Sequence, residues 1–321
     1  MNLRIGSRGS QLALWQANHI ASLLRAKRHT VDIQIIKTTG DRLQEVTFAQ
    51  VGSKGMFTKE IEEALAAGSI DLAVHSLKDL PTELPESFEL AATPQRADPR
   101  DVFVSKNYAN LASLPAGARM GTSSQRRRAQ LKAIRPDLVV VEFRGNVDTR
   151  LRKLDEGQVD AILLAAAGLD RLERAEWIRE RLDPADFCPA AGQGALGIET
   201  RKDDRDTIAA LAFLDDVHTR FAVTAERAAL AALGGGCQVP IGVHCRPCAE
   251  SKDGYLDGLG DEIFAVVAAP DTGQVVHILH RALREGSDPV VLGQVVARKL
   301  IDAGAGPLLA ALAPPPAGAS A

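Results

Sequence analysis

The chain is poor in cysteine and in aromatic residues, and it contains no long hydrophobic run. Its 321 residues include four cysteines, two tryptophans and two tyrosines. Four cysteines are too few for the disulfide scaffold of a small secreted protein. No apolar stretch approaches the length that crosses a membrane, and the amino terminus does not resemble a signal peptide. We therefore expect a cytoplasmic protein whose thiols are reduced.

Neither sign of charge is in large excess. The chain has 38 Lys and Arg against 41 Asp and Glu, which gives a net charge of −3 at pH 7. This balance provides no overall attraction to nucleic acid or to an anionic membrane, so any basic cluster needs a local explanation. Hydrophobic residues make up 45% of the chain, enough for sizeable cores, and the length predicts two or three domains.

The first 95 residues alternate between strand and helix patterns. Residues 3–5 predict a strand, and apolar residues at helical spacing after Ser10 predict a helix. A second strand is predicted near Val31, a further helix over 58–67 and a buried strand over 70–74. This βαβ order predicts an α/β fold with a mainly parallel sheet, whose ligands bind beyond the carboxyl ends of the strands.

The segment 75–81 follows that buried strand directly. It contains Ser76, Lys78 and Asp79, so a hydroxyl, an ammonium and a carboxylate lie where a ligand is expected. We interpret Asp79 as the candidate acid or anion for chemistry. The alternative is a surface turn that carries an ordinary Lys/Asp pair. We interpret His75 as a hydrogen-bonded structural residue rather than a general base.

A second α/β unit follows, and two arginines lie at the start of one of its helices. Thr122 and Ser124 precede Arg126 and Arg127 there. Cations at a helix amino end oppose the helix dipole, at a cost of about 0.3–1 kcal/mol each, unless an anion binds beside them. The hydroxyls, the helix end and the planar guanidiniums favour a carboxylate or phosphate site. The alternative is a solvated basic face.

Further cations occur where other strands are expected to end. Arg8 lies between the first strand and the first helix, Arg144 ends another strand, and Arg150 and Arg171 follow strands in the second unit. Five separate strand ends thus present Arg, Lys or Asp to what we expect to be one cleft between domains. Such a cleft suits a small molecule with several carboxylates.

The remaining sequence predicts a return to the first domain and then a third, smaller domain. The segment 189–198 is rich in small residues, and we interpret it as a crossover back to the first domain. Strands and a closing helix in the last hundred residues indicate an α+β domain. The predicted helices span 204–214, 217–233 and 289–303, and the predicted strands span 241–245, 255–259, 263–268 and 275–279.

Three glycines, residues 234–236, precede Cys237 at the start of this third domain. Glycines remove side chains that would crowd the sulfur, so the thiol could serve as an attachment point or as a nucleophile. The alternative is a buried free cysteine in a turn. We interpret Cys245 and Cys248 as an incidental pair, because no histidines at zinc spacing accompany them, and Cys188 as buried packing.

Seven segments of the chain together resemble the porphobilinogen deaminase (hydroxymethylbilane synthase) family. The similarity covers roughly residues 3–304, in order and at compatible spacing. One local departure is Gly234, where we expect an acidic residue in the family. The segments are 7–16, 52–57, 75–81, 121–127, 143–147, 189–196 and 235–240.

The resemblance implies a three-domain transferase of tetrapyrrole and haem biosynthesis. It implies two α/β domains folded like periplasmic binding proteins and a smaller carboxyl-terminal α+β domain. Domain 1 would span 1–95 and 195–214, domain 2 100–190 and domain 3 217–304, followed by a disordered tail over 305–321. The family expectation is a monomer.

The implied reaction joins four porphobilinogen molecules head to tail with loss of ammonia, and then releases linear hydroxymethylbilane by hydrolysis. The product would grow on a dipyrromethane cofactor, which is made from substrate and held by Cys237 through a thioether. Asp79 would be the catalytic residue that assists loss of the amine and stabilises the cationic azafulvene.

The resemblance also implies roles for other residues, and no metal. Lys54 and Phe57 would lie on a loop near the mouth of the cleft. The implied cofactor-binding residues besides Cys237 are Lys78, Ser76, Thr122, Ser124, Arg126, Arg127, Asp41 and Gly145. The implied substrate-binding residues are Arg8, Arg144, Arg150, Arg171, Gln193 and Ser10.

Two other classes of protein stay open at this point. A noncatalytic anion-binding module would have the same paired α/β domains and arginine-lined cleft, but it has no use for Cys237 opposite Asp79. A cysteine hydrolase would need a histidine placed to activate Cys237, and none is identifiable.

Overall fold

The structure is a computed structural model that describes residues 1–42, 58–235, 239–248 and 260–312, without the side chains of residues 41, 42 and 312. These residues form three sheets, two of five strands and one of three. Of the helices in these ranges, none is long and apolar enough to span a membrane.

The amino-terminal unit is built around a mixed sheet. Its strands are β1 (Asn2–Ser7), β2 (Thr30–Ile35), β3 (Leu72–Ser76), β4 (Phe88–Ala92) and β10 (Leu196–Arg201). They lie in the order β2, β1, β3, β10, β4, with β1 parallel to β2 and β3. β10 runs antiparallel to both of its neighbours, so four strands share one direction and the returning strand opposes them.

The second unit repeats this arrangement. Its strands are β5 (Asp101–Ser105), β6 (Arg119–Gly121), β7 (Val139–Val141), β8 (Ala161–Ala165) and β9 (Ile178–Arg181). They lie in the order β7, β6, β8, β5, β9, and β5 is the antiparallel strand. Each sheet thus contains one strand of opposite direction, placed where the chain passes between the units. The predicted α/β class is confirmed.

The helices of these two units follow amphipathic patterns with polar caps. The first begins at Ser10, whose Oγ accepts a hydrogen bond from the N–H of Ala13, and it buries Ile20 and Leu24 against the sheet. The helices are α1 (Gln11–Ala26), α2 (Thr39–Arg42), α3 (Lys59–Ala66), α4 (Gln125–Ile134), α5 (Val147–Asp155), α6 (Ala166–Arg171) and α7 (Arg205–Leu211).

The third unit is a three-stranded antiparallel sheet with helices packed against it. Its apolar core comes from one face of the sheet and from two helices that also contact each other. The predicted strand over 255–259 lies outside the described residues. The elements are α8 (Val217–Ala232), β11 (Ile241–Pro247), β12 (Gly260–Ala268), β13 (Val275–Leu283), α9 (Pro289–Leu300) and α10 (Gly306–Leu312).

The prediction of disorder over 305–321 is wrong for residues 305–312. The chain turns at Gly304, which has φ +105°, and then forms α10. Ala305 and Leu308 are buried in the core of the third unit beside Leu300. The Ala/Pro/Gly composition predicted disorder because it gives no sign of these apolar contacts. The contacts stabilise one further helix. Residues 313–321 lie outside the described part of the chain.

The two segments that connect the large units contact each other closely. The N–H of Ala97 donates to the carbonyl oxygen of Gly194 over 3.2 Å. Gly194 has φ +87°, and a Cβ atom there would lie 2.5 Å from the carbonyl oxygen of Ala97. Gly192, with φ +71°, approaches Leu77 in the same way. Small residues are therefore required where the connecting segments cross.

We expect Gly194→Ala to lower the free energy of unfolding by about 3–5 kcal/mol, since both a left-handed backbone and a clash with Ala97 oppose the methyl group. Gly117 is the matched control, because it has φ +78° but nothing within 4 Å of the added Cβ. Gly117→Ala should cost only about 1–2 kcal/mol. Urea unfolding of both variants measures the difference, and equal losses would contradict the close crossing.

Candidate active site

A short 3-10 turn, Leu77–Asp79, directs two charges away from the core at the end of β3. Leu77 and Leu80 are buried with Ala195 in one apolar cluster, and the N–H of Leu77 donates to the carbonyl oxygen of Ala195 over 3.0 Å. Between the two leucines, Lys78 is half-buried and Asp79 is exposed. The order of apolar and charged residues in the sequence therefore presents the ammonium and the carboxylate to the space between the units.

A cavity of about 80 Å³ lies beside this turn, between the amino ends of α1 and α3. It brings together Arg8, Ser10, Ser76 and Asp79, which the sequence predicted as site residues. Ser76 Oγ accepts a hydrogen bond from Gln16 Nε2 over 2.7 Å. Helix amino ends and an arginine together favour an anionic group in this cavity.

His75 lines the same cavity but is tied to the sheet. Its Nε2 lies 2.9 Å from Oε2 of Glu199, a fully buried residue of β10. The predicted hydrogen bond of His75 is confirmed, and its structural role rather than that of a general base stays a prediction.

The carboxylate of Asp101 binds both predicted arginines of α4. Its Oδ2 accepts from Arg126 Nη1 over 2.7 Å, and its Oδ1 accepts from Arg127 Nη2 over 2.6 Å. Asp101 is fully buried and each arginine is only 5% exposed. Burial opposes ionisation of Asp101, but the two guanidiniums outweigh it and hold the pKa of that carboxyl well below its usual range. The sequence analysis missed this partner.

Other donors of these arginines bind backbone oxygens. Arg126 Nη1 donates to the carbonyl of Cys188 over 2.6 Å, and Arg127 Nη1 donates to that of Leu163 over 2.9 Å. Burial lowers the pKa of Arg127, although Asp101 partly offsets it. The two arginines are therefore held rigidly at the amino end of α4, and their predicted contact with a cofactor stays a prediction.

The hydroxyls before α4 shape the helix start. Ser124 caps the helix, and its Oγ accepts from the N–H of Arg127 over 3.4 Å. Thr122 is 1% exposed, and its Oγ1 accepts from the N–H of Ser124 over 3.2 Å. Both contacts are structural, and the predicted cofactor contacts of these residues stay predictions.

The start of α5 adds a half-buried cation, Arg150, to the same region. Arg150 Nε donates to the carbonyl oxygen of Gly145 over 2.8 Å, and Gly145 has φ +126°. Burial, followed by repulsion from Arg127, lowers the pKa of Arg150 to about 10, while Asp79 across the cleft opposes this shift. Arg144 Nε pairs with Glu142 Oε1 over 2.7 Å. The charge of Arg150 thus interacts with that of Asp79, which follows β3.

Arg171 of α6 connects the second unit to the first. Its Nη2 donates to the carbonyl oxygen of Gly194 over 2.7 Å, and its guanidinium lies 5.8 Å from the ring centroid of Trp15 in α1. Burial lowers the pKa of Arg171 to about 10. Arg171 therefore lies at the crossing of the connecting segments, where it contacts residues outside its own unit.

The pKa of Lys78 depends on burial and on four neighbouring charges. Burial lowers its pKa to about 8, and Arg126 and Arg127 add to the effect, whereas Asp79 and Asp101 oppose it. Lys78, Arg127 and Arg150 are each more costly to keep charged than in water. A ligand with several carboxylates would relieve this cost, so the donor set fits a polyanionic cofactor or substrate.

Gln193 is bound by protein groups on every side, and its predicted contact with substrate stays a prediction. It is fully buried. Its Oε1 accepts from Lys78 Nζ over 3.3 Å, and its Nε2 donates to the carbonyl of Pro99 over 2.7 Å and to Asp101 Oδ1 over 3.1 Å. Both ends of its carboxamide therefore bind protein groups.

A second buried carboxylate, Glu226 of α8, attaches the third unit to the crossing. Its Oε1 accepts from Arg96 Nη1 over 2.6 Å and from the N–H of Cys245 over 2.8 Å. Its Oε2 accepts from the N–H of Gly192 over 2.7 Å. Burial opposes its ionisation, but Arg96 outweighs it and lowers the pKa of Glu226 to about 2.

Glu226 could have been found from the sequence. It lies on the same helix face as three alanines that the pattern assigns to the core, Ala222, Ala225 and Ala229. A charged residue on a buried face requires a charged partner elsewhere. The partner, Arg96, lies 130 residues away and carries no local signal.

Several predicted site residues lie outside the described part of the chain. They are Lys54, Phe57 and Cys237, together with the side chain of Asp41. Cys188 and Cys245 are buried, and burial raises the pKa of both thiols above the usual range. The prediction that Cys188 is buried packing is confirmed.

Comparisons with known proteins match nearly the whole chain. A family model described as porphobilinogen deaminase, dipyromethane cofactor binding domain, matches residues 3–209, and one described as porphobilinogen deaminase, C-terminal domain, matches residues 220–302. The chain belongs to the porphobilinogen deaminase family. The family predicted from the sequence motifs is thereby confirmed.

Curated relatives named porphobilinogen deaminase are similar to the chain over almost its full length. The protein from Chromobacterium violaceum is 51% identical over 310 residues, which cover 96% of this chain and 97% of the relative. The protein from Thiobacillus denitrificans is 50% identical over 312 residues, which cover 97% of this chain and 98% of the relative. Among solved structures, the methionine binding protein MetQ is similar with a TM-score of 0.45 and 13% identity, over 66% of this chain and 89% of MetQ.

We expect Asp101→Asn to lower the free energy of unfolding by about 3–5 kcal/mol, because it leaves two buried guanidiniums without a counter-charge. Asp98 is the matched control, since it also binds two arginines, Arg100 and Arg181, but is partly solvated. Asp98→Asn should cost about 1 kcal/mol. Urea unfolding at pH 7 measures both, and a small loss at Asp101 would contradict the buried cluster.

Proposed function

We propose that the chain is a hydroxymethylbilane synthase, a transferase that joins four porphobilinogen molecules head to tail. Each addition forms one carbon–carbon bond and releases one ammonia, and hydrolysis then frees the linear product. The observation that carries the proposal is the convergence of Asp79 from one unit with Lys78, Arg127 and Arg150 around one cleft. The family membership of nearly the whole chain supports the same activity.

Asp79 stabilises the positive charge that develops when the aminomethyl group leaves. The carbon–nitrogen bond breaks with its electron pair on the departing nitrogen, and the pyrrole ring becomes cationic. A carboxylate held on a fixed turn stabilises this charge without having to reorganise. Leu77 and Leu80, buried on either side, hold that turn. Three carbonyl oxygens after the turn accept hydrogen bonds from Arg227 of α8.

The cations of the cleft bind the acetate and propionate groups of the pyrroles. Arg8, Lys78, Arg150 and Arg171 approach the cleft from four separate elements, so they can hold several carboxylates at once. The planar guanidiniums also orient the carboxylates. Binding of these anions raises the lowered pKa values of Lys78, Arg150 and Arg171 and keeps these side chains charged.

The cofactor is a dipyrromethane held by Cys237 through a thioether. When bound, it supplies the free pyrrole carbon to which further units are joined. Cys237 follows α8 in the chain, and Glu226 of α8 binds the backbone of Gly192 at the crossing of the large units, which supports an attachment point near the cleft. The remaining cofactor-binding residues are those assigned by family resemblance, with Lys78 the one that lies beside Asp79.

The domain boundaries, location and assembly are part of the same proposal. Domain 1 comprises 1–95 and 195–214, domain 2 100–190 and domain 3 217–304, extended by α10. The three separate sheets support this division. We further propose a cytoplasmic monomer, in line with the family expectation.

The intact mass of the denatured protein tests the function directly. We expect an excess of two pyrrole units over the polypeptide, which grows stepwise when porphobilinogen is added. Cys237→Ser should abolish both the excess and the growth, because it removes the thioether. Cys188→Ser is the control, since that buried thiol should carry no adduct. A bare polypeptide mass that porphobilinogen does not change would refute the proposal.

Replacement of the cleft carboxylate should reduce turnover. We expect Asp79→Asn to lower kcat about 10²–10³-fold with little effect on stability, because it removes preorganised negative charge from an exposed position. Asp155→Asn, at an exposed aspartate paired with Lys106, should leave kcat unchanged. Product formation per cofactor-loaded protein gives kcat, and equal kcat in both variants would exclude the role of Asp79.

A further inference from the structure

Gln193 lies between two glycines that bring it unusually close to the site. Gly192 and Gly194 both have positive φ, and a Cβ at Gly192 would lie 3.3 Å from the backbone nitrogen of Lys78. The carbonyl oxygen of Gln193 accepts from Arg96 Nε over 2.8 Å. The backbone around Gln193 is therefore held from both sides, directly behind the Lys78–Asp79 turn.

The carboxamide of Gln193 separates two opposite charges. Lys78 Nζ can only donate hydrogen bonds, and ionised Asp101 can only accept them. A carboxamide has one accepting and one donating end, so a single orientation satisfies both neighbours. Oε1 faces Lys78 at 3.3 Å and Nε2 faces Asp101 at 3.1 Å. A neutral group thus occupies the place where a direct Lys78–Asp101 pair could otherwise form.

Such a direct pair would remove the ammonium from the cleft. Lysine has a long, flexible stem, and opposite charges attract strongly in a buried setting. Asp101 already binds Arg126 and Arg127, so its oxygens are shared among several donors. With Gln193 in place, Lys78 stays near Asp79 and Asp101 keeps its arginines.

We propose that Gln193 is a positioning residue, which acts through Lys78 by holding its ammonium at the cleft beside Asp79. This inference rests on the proposed function only for its effect on turnover. The charged groups that face Lys78 are Asp79 on its own turn, Asp101 of β5, and Arg126 and Arg127 of α4. Gln193 is the uncharged member of this group, and its substitution changes the field at Lys78 in a predictable direction.

Two isosteric substitutions should move the titration of Lys78 in opposite directions. Gln193→Glu places a negative charge against the ammonium and should raise the pKa of Lys78 by about one unit or more. Gln193→Met removes the accepting oxygen and should lower the pKa further. Each variant should reduce kcat about tenfold, because the ammonium is no longer held at the same place.

The pH dependence of acetylation at Lys78 measures the titration without relying on activity. The full chain is treated briefly with acetic anhydride at a series of pH values, and the peptide that contains Lys78 is quantified by mass spectrometry. With Gln193→Glu, labelling at pH 8 should fall about fivefold, since a one-unit rise lowers the unprotonated fraction from about a half to about a tenth. With Gln193→Met, it should increase.

Gln130 provides the matched control. It is also a buried glutamine, but its carboxamide binds the backbone of Cys188 and does not contact Lys78. Gln130→Glu should reduce stability without moving the Lys78 titration. Unchanged or same-direction shifts in both Gln193 variants would overturn the inference and leave Gln193 a purely structural residue. Opposite shifts in a protein that does not consume porphobilinogen would retain the inference and refute the proposed function instead.

Discussion

The buried carboxylate of Asp101 is the interaction on which the site depends. It lies at the first residue of β5, where the chain has just crossed from one large unit to the other, and it binds Arg126, Arg127 and Gln193 together. Without this negative charge, two buried guanidiniums at the amino end of α4 would lack a counter-charge. Because Gln193 also reaches Lys78, the position of the cleft ammonium depends on the same carboxylate.

Glu226 has the equivalent role for the third unit. It binds Arg96 and the backbone of Gly192, one from each connecting segment, and its own helix, α8, precedes Cys237 in the chain. Two buried carboxylates therefore join three units at a single crossing. Substitutions at this crossing should change the stability of all three units, since the charges share partners and their effects are coupled. Asp101 and Glu226 thus stabilise the fold and also position the residues of the candidate site.

Much of this fold could be predicted from local patterns. Ser10 caps α1, apolar alternation marks β2, and Lys78 and Asp79 directly follow a buried strand, all as expected. The helix over 306–312 was missed, because its stability comes from contacts with a distant core rather than from composition. Asp101 was not predicted as a site residue, since nothing nearby in sequence shows that it meets Arg126 and Arg127.

The sequence by itself determined the family and most of the succession of strands and helices, because motif spacing and periodicity are local properties of the chain. Only the tertiary structure decided which charges are already paired. It placed Arg126 and Arg127 on Asp101, placed Gln193 between Lys78 and Asp101, and revealed the pairing of Glu226 with Arg96. These pairings join residues up to 130 positions apart, and burial makes them necessary only once the sheets have packed together.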